Sequence, residues 1–158
     1  VLIVQHIAAG FLQGLVEWLG QASALPVRIA SKGELLLPGH VYFAPDGLHM
    51  GVESSGRVVL CKEQPENSLR PSVSYLFRSV AKAFGPHAVG VLLTGMGSDG
   101  ARELKLMKEK GAVTIVQDQE SSVVYGMPAE AIKLGAAVYV LSPGRIPEAL
   151  DRLVRGSK

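Results

Sequence analysis

"AVGVLLTGMGSDGARELKLMKEKGAVTIVQD", residues 88–118, decides the fold. Its first six residues, Ala88–Leu93, form a continuous apolar run, the pattern of a strand covered on both faces. Three glycines, Gly95, Gly97 and Gly100, then crowd around a carboxylate, Asp99. Behind them Ala101, Leu104 and Met107 recur three residues apart among Lys, Arg and Glu, which predicts a helix with those three facing inward. "AVTIVQD" is a second strand. Strand, helix and strand in succession predict a parallel pair joined by a crossover.

The same alternation continues on both sides. "MPAEAIKLG" (127–135) predicts a short helix, with Pro128 suited to its first turn. "AAVYVLS" (136–142) predicts a strand and "GRIPEALDRLVR" (144–155) a closing helix. Toward the other end, "VLIVQ" (1–5) reads as a strand apolar on both faces. "AGFLQGLVEWLGQAS" (9–23) reads as an amphipathic helix, with Phe11, Leu15, Trp18, Leu19 and Ala22 toward the core. "PVRIAS" is a short strand candidate. Residues 34–63 have another texture. Turn signals at Pro38-Gly39, Asp46-Gly47 and Ser55-Gly56 separate "HVYFA", "LHMGVE" and "RVVLCK", which predicts antiparallel hairpins. In "RPSVSYLFRSVAKAFG", Val73, Leu76, Phe77, Val80, Ala81 and Phe84 share one helical face. The expected architecture is therefore α/β. It is a doubly wound, mostly parallel sheet with helices on both faces and an antiparallel hairpin insertion around residues 40–63.

Composition bounds the function. The 158 residues are 47% hydrophobic and 19% charged, enough for one globular domain. No apolar run approaches the ~20 residues of a membrane span. A net charge of +2 with scattered Lys and Arg gives no footprint for nucleic acid. The single cysteine, Cys61, sits in a predicted hairpin and reads as structural, which points to a reducing, cytoplasmic setting. The sequence opens on "VLIVQH" with no Met and no leader, so it is expected to be part of a longer chain.

In open parallel sheets, ligands bind beyond the carboxyl ends of the strands. His6 follows the first run, and Thr94–Asp99 follow "AVGVLL". The turn lacks the Gly-Lys-Ser/Thr ending of a phosphate loop, and Asp99 would repel phosphate. Gly95-Met96-Gly97 matches only the first three positions of a dinucleotide fingerprint. His6 and Asp99 alone are too few for a metal site, and His40, His49 and His87 add no cluster. A His oriented by a carboxylate suits general base catalysis, and the glycines let backbone amides approach a substrate. Two plainer readings remain open: His6 as a turn residue, and Asp99 as a charge favouring the positive end of the following helix.

"VQHIAAGF", "LLPGHVYFAPDGLHM", "RPSVSYLF", "AVGVLLTGMGSDGA" and "SSVVYGMPAEAIKLGAA" resemble, in that order, the catalytic domain of bacterial chemotaxis protein-glutamate methylesterases. The likeness runs from residue 1 to about residue 140. It implies a serine esterase without cofactor or metal, acting on γ-glutamyl methyl esters of the cytoplasmic helices of chemoreceptors. It also implies deamidation of particular receptor glutamines. The family's His falls on His6, its Asp on Asp99, and Met96 matches a residue at the family's active site. The family's nucleophilic Ser lies in a glycine turn one βα unit before the His, and that unit is not in these 158 residues. Smaller departures are Ala8 and Ser74, where members often have Pro and Asp. The resemblance thus implies a catalytic domain, residues 1–158, without its nucleophile segment and without the receiver domain that members often carry. Such a chain is expected to be inactive by itself. The alternative it leaves open is an inactive interaction module of the same fold.

Overall fold

The computed structural model describes residues 1–156, which fall into two compact units, Val1–Phe84 and the residues from Gly85 onward.

The first unit is organised by one strand. β1 (Leu2–Ile3), β2 (Val27–Ile29) and β3 (Val41–Phe43) form a parallel three-stranded sheet in the order β1-β3-β2. Leu2 pairs with Tyr42 and Ile3 with Phe43 on one side; Val27 pairs with Val41 and Ile29 with Phe43 on the other. Successive residues of a strand face opposite sides, and β3 uses both. Phe43 packs with Leu12 and Val16 of α1 (Leu12–Ala22), joined by Leu15 and Leu19. Tyr42 packs on the other side with Ala30, Met50, Val58 and Leu76.

The hairpin insertion is smaller than the sequence suggests. Among the named strands β4 (His49–Val52) and β5 (Val58–Cys61) pair antiparallel, with His49 opposite Cys61 and Val52 opposite Val58, and an isolated antiparallel bridge joins Leu35 to Arg57. "HVYFA" belongs to the parallel sheet instead, as its central strand. Three consecutive buried residues, Tyr42, Phe43 and Ala44, are the mark of a strand covered on both faces. α2 (Val73–Phe84) lies across β4, closely enough that a Cβ on Gly51 would come within 3.0 Å of Tyr75 Cε1. Ser79 Oγ fixes the contact by accepting the Val52 N–H at 3.1 Å.

Two other expectations are corrected. β1 is shorter than the five-residue apolar run predicts, Leu2–Ile3, and both residues are half-buried. Trp18 is not core: it is 63% exposed, and Phe11 is likewise exposed. The buried stripe of α1 runs through Leu12, Val16 and Leu19. Phe11 and Trp18 are seven residues apart and lie about 100° round the helix from it.

The second unit repeats a strand–helix pattern. β6 (Val89–Leu92), β7 (Val113–Gln117) and β8 (Tyr139–Leu141) form a parallel sheet in chain order. α3 (Ala101–Glu109), α4 (Met127–Lys133) and α5 (Ile146–Arg155) follow them. Ala101, Leu104 and Met107 are buried, as their spacing predicts. Gly90 allows the close approach of α3 to β6, since a Cβ there would lie 2.7 Å from Leu104 Cδ1. Buried Thr114 Oγ1 donates to Ala136 O at 2.6 Å and accepts the Val138 N–H at 3.1 Å, fixing the entry to β8. Tyr139 and Val140 remain partly exposed on this outer strand. No helix among the described residues is long and apolar enough to cross a membrane.

Leu104 is wholly enclosed, whereas its neighbour Lys105 is exposed. Leu104→Ala is expected to lower stability by ~2–5 kcal/mol in urea unfolding. Lys105→Ala is expected to change it by less than about 0.5 kcal/mol.

Candidate active site

Each of the two parallel sheets presents a loop at the carboxyl end of its first strand, and these loops carry the candidate residues. In the first unit His6 follows β1. Its loop is tied back where Gly10 N–H donates to Asp46 Oδ2 at 3.0 Å and Phe11 N–H to Ala8 O at 3.2 Å. His6 is half-buried and lines a cleft of about 150 Å³ with Gln5, Ile7, Asp46, Leu69 and Arg70.

In the second unit the turn after β6 holds Met96 and Asp99. Asp99 is 1% exposed, while Met96, at the tip, is 81% exposed. Gly97 and Gly100 take positive φ, 85 and 81, which only glycine adopts without strain. Gly100 is the N-cap of α3, so Asp99 stands just outside the helix rather than within its first turn.

The turn that carries Asp99 is strapped to a second loop, residues 118–126. Gln117, at the end of β7, is buried and its amide works in both directions. Its Oε1 accepts the Thr94 N–H at 2.8 Å, and its Nε2 donates to Ser121 O at 2.9 Å and to Ser121 Oγ at 3.2 Å. Thr94 Oγ1 donates to Val124 O at 3.0 Å and accepts the Val124 N–H at 2.9 Å. Gly95 O accepts the N–H groups of Gly126 and Met127 at 3.1 and 2.8 Å, so the turn also fixes the start of α4. The contact is backbone on backbone. A Cβ on Gly126 would lie 2.7 Å from Gly95 O and 2.9 Å from Gly97 N.

The serines of the second loop are structural. Ser121 Oγ donates to Asp118 Oδ1 at 2.5 Å and Ser122 Oγ to Asp118 O at 2.6 Å. The Ser121 hydroxyl, and then its N–H, hold the Asp118 carboxyl below the usual range. That latch exists above the ordinary carboxylate pKa and is lost as pH falls through the lowered one.

The structure therefore brings Met96 and Asp99 into one turn and places His6 at the carboxyl end of the other unit's sheet. Sequence reasoning passed over Gln117 and Arg70. A polar residue ending the apolar run "AVTIVQ" was the available signal for the first. Arg70 opens "RPSVSYLF", one of the segments that carry the resemblance, but nothing in that segment marks it as a site residue.

Residues 1–150 match the family model described as CheB methylesterase. The chain belongs to the CheB methylesterase family. It is 64% identical over 154 residues to protein-glutamate methylesterase/protein-glutamine glutaminase 4 of Geobacter metallireducens, covering 97% of this chain and 44% of that protein. It is 60% identical to the corresponding protein 1 of Syntrophus aciditrophicus, again over 97% of this chain and 44% of that protein. The chain thus spans less than half the length of these relatives. Among solved structures it resembles the Thermotoga maritima CheB methylesterase catalytic domain. The TM-score is 0.92 at 38% identity, covering 96% of this chain and 82% of that one. The shared α/β fold, with its parallel strands and flanking helices, is the one the sequence predicts.

Gly126→Ala is expected to cost about 1–3 kcal/mol by forcing the two loops apart, with faster hydrogen exchange at the Gly95 and Met127 amides. Gly14→Ala, in open space on α1, is expected to be neutral or stabilising by up to about 1 kcal/mol.

Proposed function

We propose that residues 1–158 form the His- and Asp-bearing part of a protein-glutamate methylesterase catalytic domain, within a longer protein that supplies the nucleophilic serine. The observation that carries this reading is the family match, which runs across both units, residues 1–150. Two features of the chain agree with it. His6 and Asp99 each follow a parallel strand at its carboxyl end. The Ser121 and Ser122 hydroxyls are already committed to Asp118, which leaves neither suited to attack an ester.

The chemistry requires neither metal nor cofactor. Serine Oγ attacks the γ-carbonyl of a glutamyl methyl ester while His6 takes its proton, and Asp99 holds the imidazole in the needed tautomer. The tetrahedral intermediate then expels methoxide, which His6 protonates to methanol. Water attacks the acyl-enzyme with His6 again as base, releasing the glutamate carboxylate and restoring serine. A glutamine amide follows the same path with ammonia leaving. Glycines around Asp99 leave backbone close to the substrate, and the exposed Met96 thioether offers an adaptable apolar contact. The substrates are the cytoplasmic helices of chemoreceptors, the protein acts in the cytoplasm, and a receiver domain in the parent chain controls access.

Asp99→Asn in the full-length protein is expected to fold normally and to lose on the order of 10⁴-fold in methanol release, since an amide favours the wrong imidazole tautomer. Release at the wild-type rate would reduce Asp99 to a structural turn residue. The isolated 158-residue chain is expected to release none.

A further inference from the structure

The cleft beside His6 contains a charged group that the esterase chemistry leaves unused, Arg70. It follows a tight turn in which Asn67 and Ser68 both take positive φ, 51 and 64. Glu66 and Leu69 close that turn with reciprocal backbone hydrogen bonds of 2.8 and 3.1 Å. Non-glycine residues visit this region sparingly, and such conformations concentrate at functional sites. Arg70 Nη1 donates to Glu63 O at 3.0 Å, which anchors the guanidinium. Its Nε is enclosed and has no acceptor among the described residues.

An arginine stays charged at any physiological pH, and a buried donor without a partner is destabilising. A guanidinium serving only to hold its loop would spend its donors there. With one Nη1 N–H given to Glu63 O and Nε enclosed, the remaining Nη donors are the ones left to meet a ligand. The one acid lining the cleft, Asp46, has its Oδ2 engaged by Gly10 N–H at 3.0 Å. At about 150 Å³ the cleft has room for the end of one side chain beside His6.

We infer that Arg70 binds a carboxylate of the polypeptide substrate and so positions the reacting side chain against His6. This inference rests on the esterase reading above. Guanidinium and carboxylate are matched in geometry and charge. The carboxylate has two sources: an acidic neighbour of the esterified glutamate, or the γ-carboxylate that hydrolysis itself creates.

The test uses full-length protein, wild type, Arg70→Gln and Arg70→Lys. Methanol release is followed from a peptide bearing γ-methyl glutamate flanked by Glu, and from the same peptide flanked by Gln. Calorimetry measures binding of the hydrolysed product peptides. If a neighbouring acid is recognised, Arg70→Gln raises KM about tenfold or more for the Glu-flanked peptide, with KM rather than kcat carrying the loss. If the new carboxylate is recognised, Arg70→Gln weakens binding of both product peptides about tenfold. In either case Arg70→Lys, which keeps the charge without the fork, recovers part of the loss. KM and product binding within about twofold of wild type would overturn the inference. So would a uniform fall in kcat together with a lowered Tm, the signature of a loop-holding residue. If wild-type protein releases no methanol, the esterase reading fails by itself, and product-peptide binding then decides on Arg70. Binding about tenfold weaker in Arg70→Gln supports it; equal binding, or none by wild type, overturns it.

Discussion

The buried amide of Gln117 is the constraint on which the geometry of the second unit depends. A side-chain amide removed from water must have both its donor and its acceptor satisfied. Here the acceptor is satisfied by the backbone of the turn after β6 and the donor by the loop after β7. One residue at the end of one strand therefore fixes two loops at once. The paired bonds between Thr94 and Val124 lie beside it, and Gly95 O takes the first two amides at α4. Asp99 occupies the remainder of a turn whose entry is held by Gln117 and whose exit is the start of α3. Gly95 and Gly126 serve this arrangement by having no side chain, since the two backbones meet where a Cβ would stand.

In the first unit, adjacent residues of β3 play the organising part. Phe43 faces α1 and Tyr42 faces the hairpin and α2, so one short strand holds a layer on each side. The β1 strand aligned against it delivers His6 just beyond the sheet. Both candidate groups thus issue from ends of ordered parallel strands rather than from free loops. Orienting an imidazole by a carboxylate demands such rigidity, because small misplacements of catalytic groups carry large losses in rate.

The alternating part of the fold was legible in the sequence because local periodicity and local environment agree there. Ala101, Leu104 and Met107 lie inward as their spacing requires, and "AVTIVQ" is buried along its length except at Val113. The place of β3 is not legible locally because strand pairing is non-local. Pro38-Gly39 and Asp46-Gly47 mark the same turns whether "HVYFA" enters a hairpin or the middle of a parallel sheet. The run of three buried residues distinguishes the two only once its partners are known. Trp18 lies outside the core despite its bulk because the stripe through Leu12, Val16 and Leu19 is one step away in helical phase. His6, Met96 and Asp99 are candidates through motifs that carry a family resemblance. Gln117 is outside those motifs and Arg70, at the head of one, is not marked by it, because their contacts are with residues distant in sequence or lie in a cleft that exists only in the folded unit.

The most direct test of the account is covalent. An aryl fluorophosphonate reacts with a serine only where a neighbouring base activates it, and mass spectrometry locates the adduct. The account predicts that full-length protein is labelled on one serine outside residues 1–158, and that His6→Ala abolishes the labelling. Labelling of Ser98, Ser121 or Ser122, or labelling that persists unchanged in His6→Ala, would contradict it.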